Sequence, residues 1–168
     1  MRTSSYLRRR DQLTTYFDKT ASAAWQALTS NDPVNRIRAT VRAGRDDMRA
    51  TLMSWLPEDL SGKTLLDAGC GTGALAVDAA KRGAHVIAID VAANLVDVAR
   101  NRAAREHFSG SIDFRVGDMH GDAPDKVDHI VAMDSLIHYE DADVRKVVAD
   151  FTSRASRSVL FTSAPWNP

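Results

Sequence analysis

Leu65-Leu66-Asp67-Ala68-Gly69-Cys70-Gly71-Thr72-Gly73, followed by an alanine-rich run, is the stretch from which the fold can be read. Two apolar residues lead into an acid, and three glycines then fall at alternate positions. The pattern predicts a strand ending at Asp67, a sharp turn, and a helix opening near Thr72. Glycine admits the backbone conformations of such a turn and lets the main chain come close to a ligand. The helix opening offers unpaired N–H groups and the positive end of a dipole. A glycine turn alone says little, but its surroundings add to it. His85-Val86-Ile87-Ala88-Ile89-Asp90 reads as a second strand ending in an acid, seventeen residues past Gly73. In nucleotide sites an acid at that place accepts hydrogen bonds from a ribose. A third strand, 111–116, leads to Gly117-Asp118-Met119.

Further along, Lys81-Arg82-Gly83 closes the first helix of this region with cations in the last turn and a glycine just after it. A helix over 92–106 turns Leu95, Val98 and Ala99 inward and Arg100, Arg102 and Arg105 outward. Asp122 to Lys126 is a loop. Val127 to Met133 is a fourth strand, and Asp134-Ser135-Leu136-Ile137-His138-Tyr139 leaves its C-terminal end. A helix starting at Asp141 or Asp143 buries Val144, Val147, Val148 and Phe151, and a fifth strand covers 158–163. Alternating strands and helices imply an α/β fold, with a parallel sheet covered on both faces. Right-handed crossovers with one reversal give strand order 3-2-1-4-5. Ligands then bind beyond the strand C-termini, where the order reverses between the first and fourth strands. Asp67, Asp90, Asp118 and His138 all converge there.

The N-terminal third is different. Residues 1–10 are polar and basic and are expected to be loose. Residues 11–29 place Leu13, Phe17, Ala21, Ala24, Trp25 and Leu28 largely at helical intervals. Asn31-Asp32-Pro33 reads as a helix start with Asp32 as cap. The helix after it carries Ile37, Val41, Met48, Leu52, Trp55 and Leu56 on one stripe and stops at Pro57. These two amphipathic helices lie outside a minimal alternating core. The expected organisation is a helical cover over 1–58, packed at the cleft mouth, and a nucleotide-binding core over 59–168.

The 168 residues carry 22 basic and 22 acidic side chains, so no global field argues for nucleic acid or a membrane surface. Residues 1–49 nevertheless hold ten basic and five acidic side chains, a surplus of +5 that the remainder balances. That surplus fits either solvated helix faces or a surface that meets an anionic substrate or lipid. One cysteine, Cys70, allows no internal disulfide and suits a small apolar filler in the turn. No run of about 18 apolar residues offers a membrane span. No apolar segment follows the arginines at 8–10, so no secretory signal is expected and the expected location is cytoplasmic. His85, His107, His120 and His129 are scattered, and no cluster has metal-ligand spacing.

Asp67-Ala68-Gly69-Cys70-Gly71-Thr72-Gly73, then Asp90, then Gly117-Asp118-Met119 resembles the class I S-adenosylmethionine (SAM)-dependent methyltransferases. The glycine spacing separates it from the G-x-G-x-x-G nucleotide fingerprint. The resemblance implies SAM as cofactor. It also implies Gly69, Gly71 and Gly73 against the methionine and ribose portions, Asp67 toward the methionine ammonium, and Asp90 on the ribose hydroxyls. Asp118 would take the adenine amino group and Met119 would lie against the ring. The family's sheet has two more strands after the fifth, giving 3-2-1-4-5-7-6. Here the sequence leaves nothing to build them, so the core is expected to be C-terminally short, as a fragment or with a partner on the open edge.

A narrower resemblance sits further toward the N-terminus. Tyr16-Phe17-Asp18-Lys19-Thr20-Ala21, Trp25, Ile37-Arg38-Ala39-Thr40-Val41-Arg42-Ala43-Gly44-Arg45 and Val131 to Tyr139 are similar to magnesium-protoporphyrin IX O-methyltransferases of bacteriochlorophyll biosynthesis. The likeness runs from Tyr16 over nearly the whole chain. It implies methylation of a tetrapyrrole propionate, with the magnesium belonging to the substrate. It also implies a link to the magnesium chelatase large subunit and a peripheral place at the photosynthetic membrane. His138, beyond the fourth strand, is the first candidate to orient the propionate or take a proton, with a helix-start histidine as the plainer reading. Tyr16 is the second, with a packing aromatic as its plainer reading. Asp134 and Tyr139 rank below them. Arg38, Arg42 and Arg45 suit a second propionate by spacing, or are ordinary helix-surface charge. Two alternatives stay open: a quinone- or catechol-type O-methyltransferase, and a SAM-binding fragment without activity.

Overall fold

The computed structural model describes residues 1–165. Helix α1 spans Ser4–Thr15 and runs into a π-helical turn, Tyr16–Thr20. Helices α2, Ser22–Thr29, and α3, Arg36–Ser54, follow. Then come β1 Thr64–Ala68, α4 Ala74–Lys81, β2 His85–Asp90, α5 Ala93–Ala103, β3 Ser111–Val116 and β4 Val127–Ala132. A 3-10 turn at Leu136–His138, helix α6 Asp141–Arg154 and strand β5 Ala155–Phe161 complete the described chain.

Every strand pair is parallel and the order is β3-β2-β1-β4-β5, as the alternation predicts. Side chains alternate across a strand, so each central strand feeds two cores. Leu65, Val86, Ala88 and Val131 face one layer, with Leu52 and Met53 of α3 and Leu75 of α4. Leu66, Ile87, Ile89 and Ile130 face the other, with Tyr6 of α1 and Val147 and Phe151 of α6. β5 pairs with β4 alone among the described residues. The expected shortness of the core after 163 falls partly on residues 166–168, which lie outside the described residues.

The N-terminal third departs from expectation in four ways. Residues 1–10 are not loose. Thr3 caps α1, its hydroxyl accepting from the Tyr6 N–H at 3.1 Å, and Tyr6 is 2% exposed. The region 11–29 is broken by the π turn rather than being one helix, with Ala21 N–H donating to the Tyr16 carbonyl at 2.7 Å. The cap of α3 is Asn35, not Asp32, because the Asn35 side chain accepts from the Arg38 N–H at 2.9 Å. The stripe on α3 is apolar but only its lower half is buried: Leu52 and Leu56 lie inside, while Ile37 and Trp55 are 78% and 64% exposed. The fifth strand also begins three residues earlier than predicted, at Ala155.

Candidate functional site

The ends of β1, β2, β3 and β4 open into a cleft of about 650 Å³, roofed by α1, the π turn, α2 and α3. Asp67, Gly69, Gly71, Gly73, Asp90, Asp118, Met119 and His138 all line it, whereas Tyr16 does not. Tyr16 is 52% exposed and borders a separate surface depression, because its neighbour Phe17 takes the inward position.

The glycine turn is held tightly. Gly69 and Cys70 donate their N–H groups to the Ile89 carbonyl at 2.8 and 3.0 Å. Gly69 has φ 81°, and a Cβ there would stand 2.5 Å from the Cβ of Ser135. Gly71, at φ 53°, would push a Cβ toward the cleft, where it would meet only the Trp25 indole nitrogen at 3.5 Å. The first glycine is therefore required by packing and the second keeps cleft space free. Asp90 ties the turn to β2, its two oxygens accepting from the N–H groups of Gly71 and Ala92, each at 2.9 Å. Burial raises its carboxyl from the ordinary value, and the backbone N–H groups work against that rise.

Asp67 is 2% exposed, and its Oδ2 has no hydrogen-bond partner among the described residues. Burial, with Asp90 nearby, pushes its carboxyl up to about 7. A buried acceptor in this condition suits a cationic ligand group. Asp118 is the opposite case. Tyr6 Oη donates to it at 2.6 Å, Arg2 at 3.0 Å, Arg10 at 3.3 Å and the His120 N–H at 2.9 Å. Burial pushes its carboxyl up, but these donors outweigh it and hold it below the usual range. Tyr6 and Arg10 lie one turn apart on α1 and Arg2 stands just before its Thr3 cap, a spacing of four residues that could have revealed this anchor from sequence. Met119 lies beside it, 6% exposed.

His138 closes the 3-10 turn after β4. The Phe17 ring stands edge-on to it at 5.7 Å, and Arg9 donates to its carbonyl at 2.6 Å. Burial, then Arg9, lowers its imidazole below the ordinary value, against the pull of Asp134. It is thus a neutral acceptor or donor at pH 7. Tyr139 also lines the cleft and stacks on Tyr6 of α1 at 4.7 Å.

The roof adds residues that the pattern of the sequence left undecided. Trp25 sits over the glycine turn, Phe17 meets it edge-on at 5.5 Å, and the Arg45 guanidinium lies over its ring at 4.4 Å. Arg45 also pairs with Asp134, which holds a left-handed backbone at φ 55°. Arg42 is half-buried and caps α2, while Arg38 is exposed. The three arginines are alike in sequence and differ only by which way α3 turns them.

The cleft also fits the cofactor chemistry expected of it. Asp67 Oδ2 is an orphaned buried acceptor, Gly71 leaves a cradle that a Cβ would fill, and Asp90 stands beside them. A parallel sheet in the order 3-2-1-4-5, an alternating glycine turn and strand-end acids on one cleft define a class I SAM-dependent methyltransferase. The family described as "Methyltransferase domain" matches residues 65–156. A magnesium-protoporphyrin O-methyltransferase of Rhodobacter capsulatus is 45% identical over 163 residues, 96% of this chain and 72% of that protein. The chloroplastic magnesium protoporphyrin IX methyltransferase of Arabidopsis thaliana is 35% identical over 89% of this chain and 49% of its own length. The crystal structure of magnesium protoporphyrin IX methyltransferase from Synechocystis PCC 6803 with bound SAM superimposes with a TM-score of 0.83, at 26% identity. That superposition covers 97% of this chain and 79% of the other. The chain belongs to the magnesium-protoporphyrin O-methyltransferase family.

Proposed function

We propose that this chain moves the methyl group of SAM to a ring propionate of magnesium protoporphyrin IX, giving the monomethyl ester. The observation that carries this reading is that the likeness to the Rhodobacter capsulatus protein spans cover and core together, 96% of the chain. A quinone- or catechol-type acceptor is not favoured, since the relatives that match across the roof helices are magnesium-protoporphyrin methyltransferases. In this reading residues 1–58 are the cover and 59–168 the SAM-binding core.

SAM supplies, when bound, a methyl group already activated on a sulfonium. Asp67 receives the methionine ammonium, which suits a buried oxygen without a partner. Asp90 takes the ribose hydroxyls while its backbone bonds hold the turn in shape. Met119 lies against the adenine. Asp118 accepts from the adenine amino group, sharing the carboxylate with Tyr6, Arg2 and Arg10. A propionate near its reference pKa of ~4.3 is ionised at pH 7, so no strong base is needed. The remaining work is alignment and exclusion of water. His138 orients the reacting carboxylate, and Phe17, Trp25 and Ile137 supply an apolar wall for the macrocycle. Tyr16, outside the cleft lining, has no part in this arrangement.

No helix among the described residues is long and apolar enough to cross a membrane. The water-shy tetrapyrrole favours a peripheral place at the photosynthetic membrane and handover from the magnesium chelatase large subunit, a pairing that rests on the family resemblance alone. The test of function is calorimetric titration with S-adenosylhomocysteine (SAH), then with magnesium protoporphyrin IX, followed by a methyl-ester assay. Binding of both with ester formation is expected. Binding of SAH without the tetrapyrrole would overturn the substrate, and binding of neither would overturn the whole reading.

A further inference from the structure

Five cations line the cleft: Arg42, Arg45, Arg49, Lys81 and Arg102. Four are committed. Arg42 donates to the carbonyls of Ala27, Leu28 and Asp32, each at 2.9 Å. Arg102 donates to the carbonyls of Gln26 and Thr29 and to the Thr29 hydroxyl. Arg49 bridges Asp46 and Asp78 at 3.1 and 2.9 Å, and Lys81 pairs with Glu106 at 2.9 Å. Arg45 is different. Among the described residues it makes one hydrogen bond, from Nη1 to Asp134, although a guanidinium carries five donor hydrogens. Its side chain is 23% exposed, and its flat face is fixed over Trp25. Asp134 is itself held in place, its N–H donating to the Thr162 hydroxyl at 2.7 Å. The result is a pre-oriented fork whose remaining N–H groups have no acceptor among the described residues and whose charge is balanced until an anion arrives.

We propose that Arg45 anchors the tetrapyrrole's second propionate, the one that is not methylated. This rests on the substrate reading given above. The choice between the two propionates follows from charge. Methyl transfer removes the charge of the reacting carboxylate, so a strong cation on it would stabilise the ground state more than the transition state. The second propionate keeps its charge throughout, and a bond to it holds the macrocycle without opposing reaction. The planar fork matches a carboxylate in two-point geometry. Arg45 is therefore a binding residue for the part of the substrate that does not react, and His138 is left with the part that does.

The test uses three probes on the full chain with SAH present: magnesium protoporphyrin IX, its monomethyl ester and its dimethyl ester, titrated by tryptophan quenching. Wild type binds the dimethyl ester about tenfold more weakly than the monomethyl ester, the scale of one charge-assisted contact. In Arg45→Met, which keeps packing on Trp25, that difference collapses, and in Arg45→Lys it is partly restored. SAH affinity stays at the wild-type value in both variants. If Arg45→Met instead weakens binding of the diacid alone and leaves the monomethyl ester unaffected, Arg45 holds the reacting propionate and the proposal fails. An unchanged ester difference in Arg45→Met also overturns it, whatever happens to SAH affinity. If wild type binds no tetrapyrrole at all, the substrate reading fails and takes this proposal with it. Binding by wild type separates the two failures.

Discussion

Asp67 and Asp118 end two strands of one sheet and experience opposite environments. Asp67 has an oxygen without a partner and a carboxyl raised to about 7, whereas Asp118 is surrounded by donors and held below the usual range. An unfolded chain gives up the Asp67 proton near 3.8 and the folded chain near 7. The unfolded state therefore loses the proton first, and ligand-free stability falls as pH rises through that window. Asp67→Asn should remove this part of the slope in thermal midpoints recorded across it. SAH affinity should rise over the same window in wild type, since the ammonium needs the ionised carboxylate; a flat profile would sink the Asp67 assignment. For His138, burial and Arg9 favour the neutral ring, so the acid limb of turnover should lie below the unperturbed imidazole value of ~6.5. His138→Ala should reduce turnover far more than SAH affinity, and equal loss of both would mark a structural role. Tyr16→Phe should leave turnover within about twofold, because the hydroxyl sits outside the cleft lining.

At the scale of elements, α1 is the piece whose order depends most on side-chain anchors. Tyr6, buried at 2% exposure, reaches Asp118, while Thr3 and Ser5 both donate to Asp143 at the start of α6. Tyr6→Phe keeps the ring stack and removes the hydroxyl, so stability should drop by about 1–3 kcal/mol in urea titration. Amide exchange should quicken in α1 while β1, β2 and β4 stay protected. The strands were easier to read than these helices. β2 and β3 match their predicted bounds because apolar runs end at acids and glycines that punctuate them. Helix α1 was missed because its anchors to Asp118 are Tyr6 and Arg10, joined by Arg2 just before the Thr3 cap, residues that hydropathy scores as exposed. The start of β5 was missed because Ala155-Ser156-Arg157 carries no apolar signal, and only its pairing to β4 makes it a strand.

Across the whole molecule, topology was legible and cleft partners were not. Strand-end acids and one reversal of order suffice to place Asp67, Asp90, Asp118 and His138 around one opening, since geometry of the sheet does that work. Which roof residue faces the opening depends on a π turn that shifts Phe17 inward and Tyr16 outward, and on the azimuth of α3 that selects Arg45 over Arg38. Neither is written in spacing alone. The division at 58/59 is a proposal that exchange can judge. The helices before it should open at lower free energy than the sheet, and SAH should slow the opening of both. Uniform protection on either side of residue 58 would show one cooperative unit instead.

Trp25 gives the cleft an optical reporter of its own. Its indole nitrogen lies where roof meets glycine turn, its face carries Arg45, and Trp55 is far more exposed to water. With Trp55 and Trp166 replaced by phenylalanine, emission would come from that single contact. A nucleoside entering beneath it would shift the colour of emission. A macrocycle entering beside it would extinguish the light by energy transfer. The order in which the two ligands arrive could then be followed in real time, without a label and before any ester forms.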